Sequence, residues 1–133
     1  MKTLKILFFV LLGMSISSCS VSEEDKVRNT AEAFLEALGK YDFKEAASYC
    51  DEPTKQLLLS LEELMKEYGE EIASLPKSKF NIKSVEINNN EATVTYLDDD
   101  GKLEPLYLIK VDDEWKVSID KEDLNKEEMD KEE

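Results

Sequence analysis

The hydrophobic rhythm of this chain changes at Pro76. Before it, apolar residues recur at helical spacing. After it, they alternate with polar ones, as along a strand with one covered face. Helices gathered in one half and strands in the other give an α+β domain. The expected architecture is three N-terminal helices packed on a curved, four-stranded antiparallel sheet.

In the helical half, Val27, Ala31, Phe34 and Leu38 fall at i, i+4, i+7 and i+11. They predict a first helix from about Asp25 to Leu38. Gly39 is placed to end it in a left-handed cap. Asp42, with Glu45 three residues later, predicts the start of a short second helix over Phe43 to Tyr49. Its packing residues are Phe43, Ala46, Ala47 and Cys50. Asp51-Glu52-Pro53 opens a third helix, with proline in the first turn where its missing donor is harmless. Leu57, Leu58, Leu61, Leu64, Met65, Tyr68 and Ile72 make a wide apolar stripe along it, expected to be core. Gly69 loosens its C-terminal part.

In the strand half, Phe80 and Ile82, then Val85 and Ile87, predict one strand whose phase slips near Lys83-Ser84, as at a bulge. Asn88-Asn89-Asn90 is a turn. Ala92, Val94 and Tyr96 alternate with Thr93, Thr95 and Leu97 in a second strand. Asp98-Asp99-Asp100-Gly101 turns again. Leu106 to Val111 forms a third strand, with Pro105 near its start. After a turn at Asp112-Asp113-Glu114, Trp115, Val117 and Ile119 alternate in a fourth. Short connections imply an antiparallel meander.

Lys2 and Lys5 precede an apolar run from Ile6 to Leu12, the order of a secretory signal. The run is shorter than the ~20 apolar residues that span a bilayer. Ile16-Ser17-Ser18-Cys19 follows and resembles a bacterial lipobox: an aliphatic residue, two small residues, then cysteine. That resemblance implies cleavage before Cys19 and fatty acylation, palmitate included, of this cysteine. Residues 1–18 are then a lipoprotein signal peptide, 19–25 an acidic tether, 26–120 the folded domain and 121–133 a charged tail. Two readings fit Glu23-Glu24-Asp25. One is a sorting signal for the outer face of the outer membrane. The other is acidic charge at a helix N-terminus, with Ser22 and Asp25 as a capping box.

The formal net charge is −14 over 133 residues, and the leader contributes two lysines and no acid. The chain beyond it is therefore more acidic still. Such a balance repels phosphate backbones and anionic head groups, so no nucleic-acid partner is expected. The membrane is reached through lipidated Cys19. There is no histidine, which removes the commonest general base and metal ligand. Cys50 is expected to be a small buried residue, and Asp51 and Glu52 beside it disfavour a reactive thiol.

Asp98-Asp99-Asp100 does not make an EF-hand. Counting back from Gly101 puts Tyr96 at the first ligand position, which cannot serve. No metal or cofactor site and no catalytic residue is expected. Among strand carboxylates, Glu86, Glu91 and Glu104 are all placed to face water. The aromatic residues Phe34, Tyr41, Tyr68, Tyr96, Tyr107 and Trp115 are the candidate lining of a cavity between helices and sheet. The alternative is that they form the core, because apolar pockets and apolar cores share a composition.

Residues Ala33 to Ala46 (AFLEALGKYDFKEA) and Trp115-Lys116-Val117 resemble a family of small bacterial lipoproteins, some of them described as lumazine-binding-like. Helices followed by a meander also resemble the nuclear transport factor 2-like, or cystatin-like, cone. That resemblance implies a bent sheet around a long first helix, with a cavity at the open end. Enzymes of the superfold use His or Asp inside the cone, and this chain has no His. The function expected is therefore a membrane-anchored, non-catalytic module of the cell envelope that binds a small apolar or aromatic ligand. The alternative is a protein-interaction subunit of an envelope complex.

Overall fold

A computed structural model describes residues 21–119. The expected signal peptide, Cys19, and the tail from 121 onward lie outside the described residues. Four helical segments come first: α1 (Glu23–Gly39), α2 (Phe43–Ala47), α3 (Glu52–Lys66) and α4 (Gly69–Ala73). Four strands follow: β1 (Asn81–Asn88), β2 (Glu91–Leu97), β3 (Leu103–Val111) and β4 (Glu114–Val117). They pair antiparallel in the order β1-β2-β3-β4. This is the expected α+β class, with helices followed by an open four-stranded antiparallel sheet.

The helices start where capping chemistry places them. Ser22 Oγ accepts the Asp25 N–H at 3.2 Å, Asp42 Oδ1 that of Glu45 at 3.1 Å, and Asp51 Oδ1 that of Thr54 at 3.1 Å. Each side chain satisfies an N–H with no partner in its own helix. Consequently α1 begins at Glu23, and Glu23, Glu24 and Asp25 are its first turn rather than a tether.

Gly39 does a different job from the one expected. It is the last helical residue, and the left-handed position is Tyr41, with φ 61°. What Gly39 allows is close approach: a Cβ there would collide with the Ser78 carbonyl. The Ser78 N–H donates to the Gly39 carbonyl at 3.0 Å, docking the chain that leads into β1. The third helix does not run unbroken to Ile72. It stops at Lys66, and α4 restarts at Gly69 without a side-chain cap.

In the sheet, the register between β1 and β2 shifts between Ile82 and Ser84, the expected bulge. Asp112 and Asp113, both with positive φ, form a two-residue hairpin between Val111 and Glu114. Two left-handed residues match the twist of the strands they join. Pro105 lies within β3, which has a neighbour on each side. It is tolerated because β4 pairs only with Leu108 to Val111, so β3 has one free side at Pro105.

The sheet's inner face carries two apolar rows, Ile87-Ala92-Leu108-Val117 and Val85-Val94-Leu106. Against them α1 sets Val27, Ala31, Phe34 and Leu35, and α2 adds Phe43, Ala46 and Ala47. Fully burying one such large apolar side chain contributes about 1.5–3 kcal/mol. α3 is tied at its N-terminus: Asp51 N–H donates to the Val117 carbonyl at 2.9 Å, and Ser118 Oγ to Asp51 Oδ2 at 2.7 Å. Buried Thr54 accepts the Ile119 N–H at 2.9 Å through its hydroxyl. Beyond that turn α3 keeps one edge on the core, through Leu58 and the half-buried Leu59, Leu61 and Met65. Leu58 is buried, but Leu57, Leu64 and Tyr68 are exposed, so the expected core stripe is covered along one edge only.

Candidate functional site

The six aromatic residues do not line one cavity. Phe34 and Trp115 are buried in the core, so the space between α1 and the sheet is occupied by side chains. Tyr107 faces away from the helices, 38% exposed, since it alternates with the inward Leu106 and Leu108. Tyr68 stands 56% exposed where α3 gives way to α4. Tyr41 is half-buried, and its hydroxyl donates to the Pro76 carbonyl at 3.2 Å. Tyr96 is half-buried and meets the Phe80 ring edge-on, 5.5 Å between centroids.

A cleft of about 680 Å³ lies between α1 and residues 77–82. That is the size of a small-molecule site. Leu35, Phe80 and Ile82 form its apolar wall. Arg28, Lys40, Lys77 and Lys79 stand around it, with Glu32 and Glu36 between them on α1. Arg28 is the only arginine in the chain.

The cations differ in how far they are neutralised. Lys40 Nζ lies 2.8 Å from Glu36 Oε1. The hydrogen bond and charge of Lys40 hold the Glu36 carboxyl below its ordinary range. Arg28 is 3.7 Å from Glu24, too far for a bidentate pair. Lys77 and Lys79 have no ion pair among the described residues.

Their backbone is held nonetheless. The strip is pinned by Tyr41 at Pro76, by Gly39 at Ser78, and by Asp99 Oδ1, which accepts the Lys79 N–H at 2.8 Å. That N–H, with the Ser78 hydroxyl, lowers the Asp99 pKa. Asp98 Oδ1 accepts the backbone N–H groups of Asp100 and Lys102, both at 2.9 Å. The acidic turn is thus held by its own backbone, and among the described residues no group of three or more His, Cys, Asp or Glu could hold a metal ion.

The opposite end of α1 is closed. Glu23 Oε2 accepts the Trp115 indole N–H at 2.9 Å and lies 3.0 Å from Lys110 Nζ, while Oε1 is 3.1 Å from Lys26. Lys110 also sits over the Trp115 ring, 5.8 Å from its centroid. The Trp115 N–H first, then Lys110 and Lys26, hold the Glu23 carboxyl at about 2. The thiol of Cys50 is buried, donates to the Ala46 carbonyl at 3.3 Å, and is pushed up to about 12 by burial and then by Asp51. It is a poor nucleophile.

Sequence reasoning singled out neither the cleft's cations nor Phe80 as part of a site. The available signals were the lone arginine and the Lys77-Ser78-Lys79 run directly after Pro76.

No family model matches the chain, and no curated protein does. Solved structures that resemble it include the following two. One is a Campylobacter jejuni protein provisionally described as a nuclear transport factor 2-like transpeptidase. It is 19% identical, with 70% of this chain and 97% of that one covered, at a TM-score of 0.48. The other is a ketosteroid isomerase-like protein from Erwinia carotovora atroseptica. It is 15% identical, with 74% and 92% covered, at a TM-score of 0.46.

Proposed function

We propose that this chain is a lipid-anchored protein of the bacterial cell envelope whose nuclear transport factor 2-like domain binds a small apolar or aromatic ligand without transforming it. The α1–β1 cleft with its wall of Leu35, Phe80 and Ile82 carries this reading. The ligand site therefore moves from the middle of the cone to its edge. The kinship proposed is with the lumazine-binding-like lipoproteins.

The address follows from Cys19. One fatty chain holds a protein only marginally, while two or more anchor it stably, at about 0.8 kcal/mol per buried CH₂. Three residues separate Cys19 from Glu23. The four steps from Cys19 to Glu23 reach about 14 Å at most, so the α1 N-terminus stays near the head groups. The outer membrane is the proposed address. A non-catalytic role is supported by the chemistry: the chain has no histidine, and each described carboxyl with a displaced pKa is displaced downward, away from the range of a general acid.

Two measurements test this. Intact mass of native material should give a triacylated chain beginning at Cys19, and retention of residues 1–18 or an unmodified thiol sinks the anchor. Thermal shift against envelope metabolites should pick out apolar or aromatic compounds, and a flat response across a broad panel sinks the ligand.

A second reading, a subunit of an envelope complex, is favoured by the outer sheet face. Leu103 is 58% exposed there, beside exposed Tyr107 and Val111. Capture of envelope proteins that is lost in Leu103→Ser/Tyr107→Ser, and kept on deleting 121–133, assigns that role to the sheet face.

A further inference from the structure

Resting on the ligand-binding reading above, we propose that the α1–β1 cleft takes a small amphipathic anion. A carboxylate or phosphate head would be held by Arg28, Lys77 and Lys79, with an apolar or aromatic body laid on Leu35, Phe80 and Ile82.

Charge is the first ground. The chain holds 31 acids against 17 bases, yet four cations, the sole arginine among them, meet at one cleft. A chain of net negative charge disfavours anions on average. A cleft of opposite sign, with a low-dielectric wall, concentrates the field and is where an anion can settle.

Availability is the second ground. Glu36 neutralises Lys40, but Lys77 and Lys79 are unpaired among the described residues, and the long Arg28–Glu24 contact leaves guanidinium donors unused. Of the lining acids, Glu32 is left to oppose an anion against three cations, and the nearby Asp99 carboxylate is engaged by the Lys79 N–H and the Ser78 hydroxyl. Rigidity is the third. Lys77 lies between the Pro76 and Ser78 contacts, and Lys79 is held through its own N–H. The two lysines are thus carried on a backbone already fixed, which lowers the ordering cost of binding. Phe80, braced edge-on by Tyr96, is a fixed platform for the body of the ligand.

The test uses the full chain and three isosteres that differ in the head group alone: phenylbutyrate, phenylbutanol and phenylbutylamine. Phenyl phosphate and inorganic phosphate are run beside them in equilibrium dialysis. Phenylbutyrate and phenyl phosphate should bind roughly tenfold more tightly than the alcohol or the amine, the scale of one charge-assisted contact. Lys77→Gln/Lys79→Gln should abolish that preference with the thermal midpoint unchanged, and Lys77→Arg/Lys79→Arg should keep it. Equal binding of all three isosteres overturns the anion assignment and leaves the apolar-ligand reading standing. Inorganic phosphate binding as tightly as phenyl phosphate overturns the amphipathic assignment. No binding by any probe, with the variants folded, overturns the inference, and a flat metabolite panel beside it separately removes the ligand reading.

Discussion

Helices α1 and α3 look alike in sequence and are used differently. Both open on a capping side chain, both are amphipathic, and α3 is the richer in leucine. Yet α1 lies against β1, β2 and β4 and buries Val27, Ala31, Phe34, Leu35 and Ala37. α3 lies against α2 and α4 and buries Thr54 and Leu58. Small residues explain part of this. Ala31, Ala37 and Gly39 let the α1 backbone come close to its neighbours. α3 is attached by polar bonds at its first turn and by one edge, Leu58 with half-buried Leu59, Leu61 and Met65, while the rest of its stripe faces outward. An apolar stripe records a capacity for burial, and a second layer has to reach it before that capacity counts.

Truncations along the two helices sharpen the contrast. Phe34→Ala, in the core of α1, should cost about 3–5 kcal/mol in denaturant unfolding. Leu58→Ala, at the one buried leucine of α3, should cost about 2–5 kcal/mol. A cost for Leu58→Ala near zero breaks the account of how α3 is attached. Gly39→Ala should lose about 1–3 kcal/mol, because the new methyl meets the Ser78 carbonyl. It should also disturb ligand binding, since the strip carrying Lys77 and Lys79 has to move. Leu64→Ser, 60% exposed on α3, should stay within about 0.5 kcal/mol. A loss there as large as at Leu58 would mean that another surface covers α3 in solution.

The N-terminus of α1 carries a pH signature. Glu23 is held at about 2 when folded, against an ordinary value near 4.5. A depressed folded pKa means that the unfolded chain binds the proton first as pH falls. The clamp's contribution is therefore complete above pH 4.5 and is lost as pH drops through about 2. Glu23→Gln and Trp115→Phe should both flatten this part of the stability profile. The effect of Glu23→Gln should be smaller than that of the core truncations, because Glu23 is solvent-exposed and screened, while Trp115→Phe also trims a buried ring and is read by the shape of its acid profile alone. An unchanged acid profile in both variants would remove the clamp.

Much of the fold was legible, residue by residue. The period change at Pro76, the caps at Ser22, Asp42 and Asp51, the slip near Lys83 and the turns at Asn89, Gly101 and Asp112-Asp113 are all local chemistry. The site was far less so. The aromatic set was picked by residue type, and type does not say which face of a strand a ring is on. Tyr107 fell outside for that reason, and Phe34, on α1, is core because that helix lies against the sheet. The partners of Glu23 lie 87 and 92 residues away, and no spacing rule links them.

By itself, then, the sequence determined which stretches are helix and which are strand, and where the hairpins turn. Capping and alternation are decided within a few residues. The tertiary structure alone decided which apolar stripe is covered, that the space between α1 and the sheet is filled, and that Arg28, Lys77 and Lys79 share a cleft. Burial and electric field depend on what lies nearby in space, and Gly39 against Ser78 is the contact that brings those distant charges together.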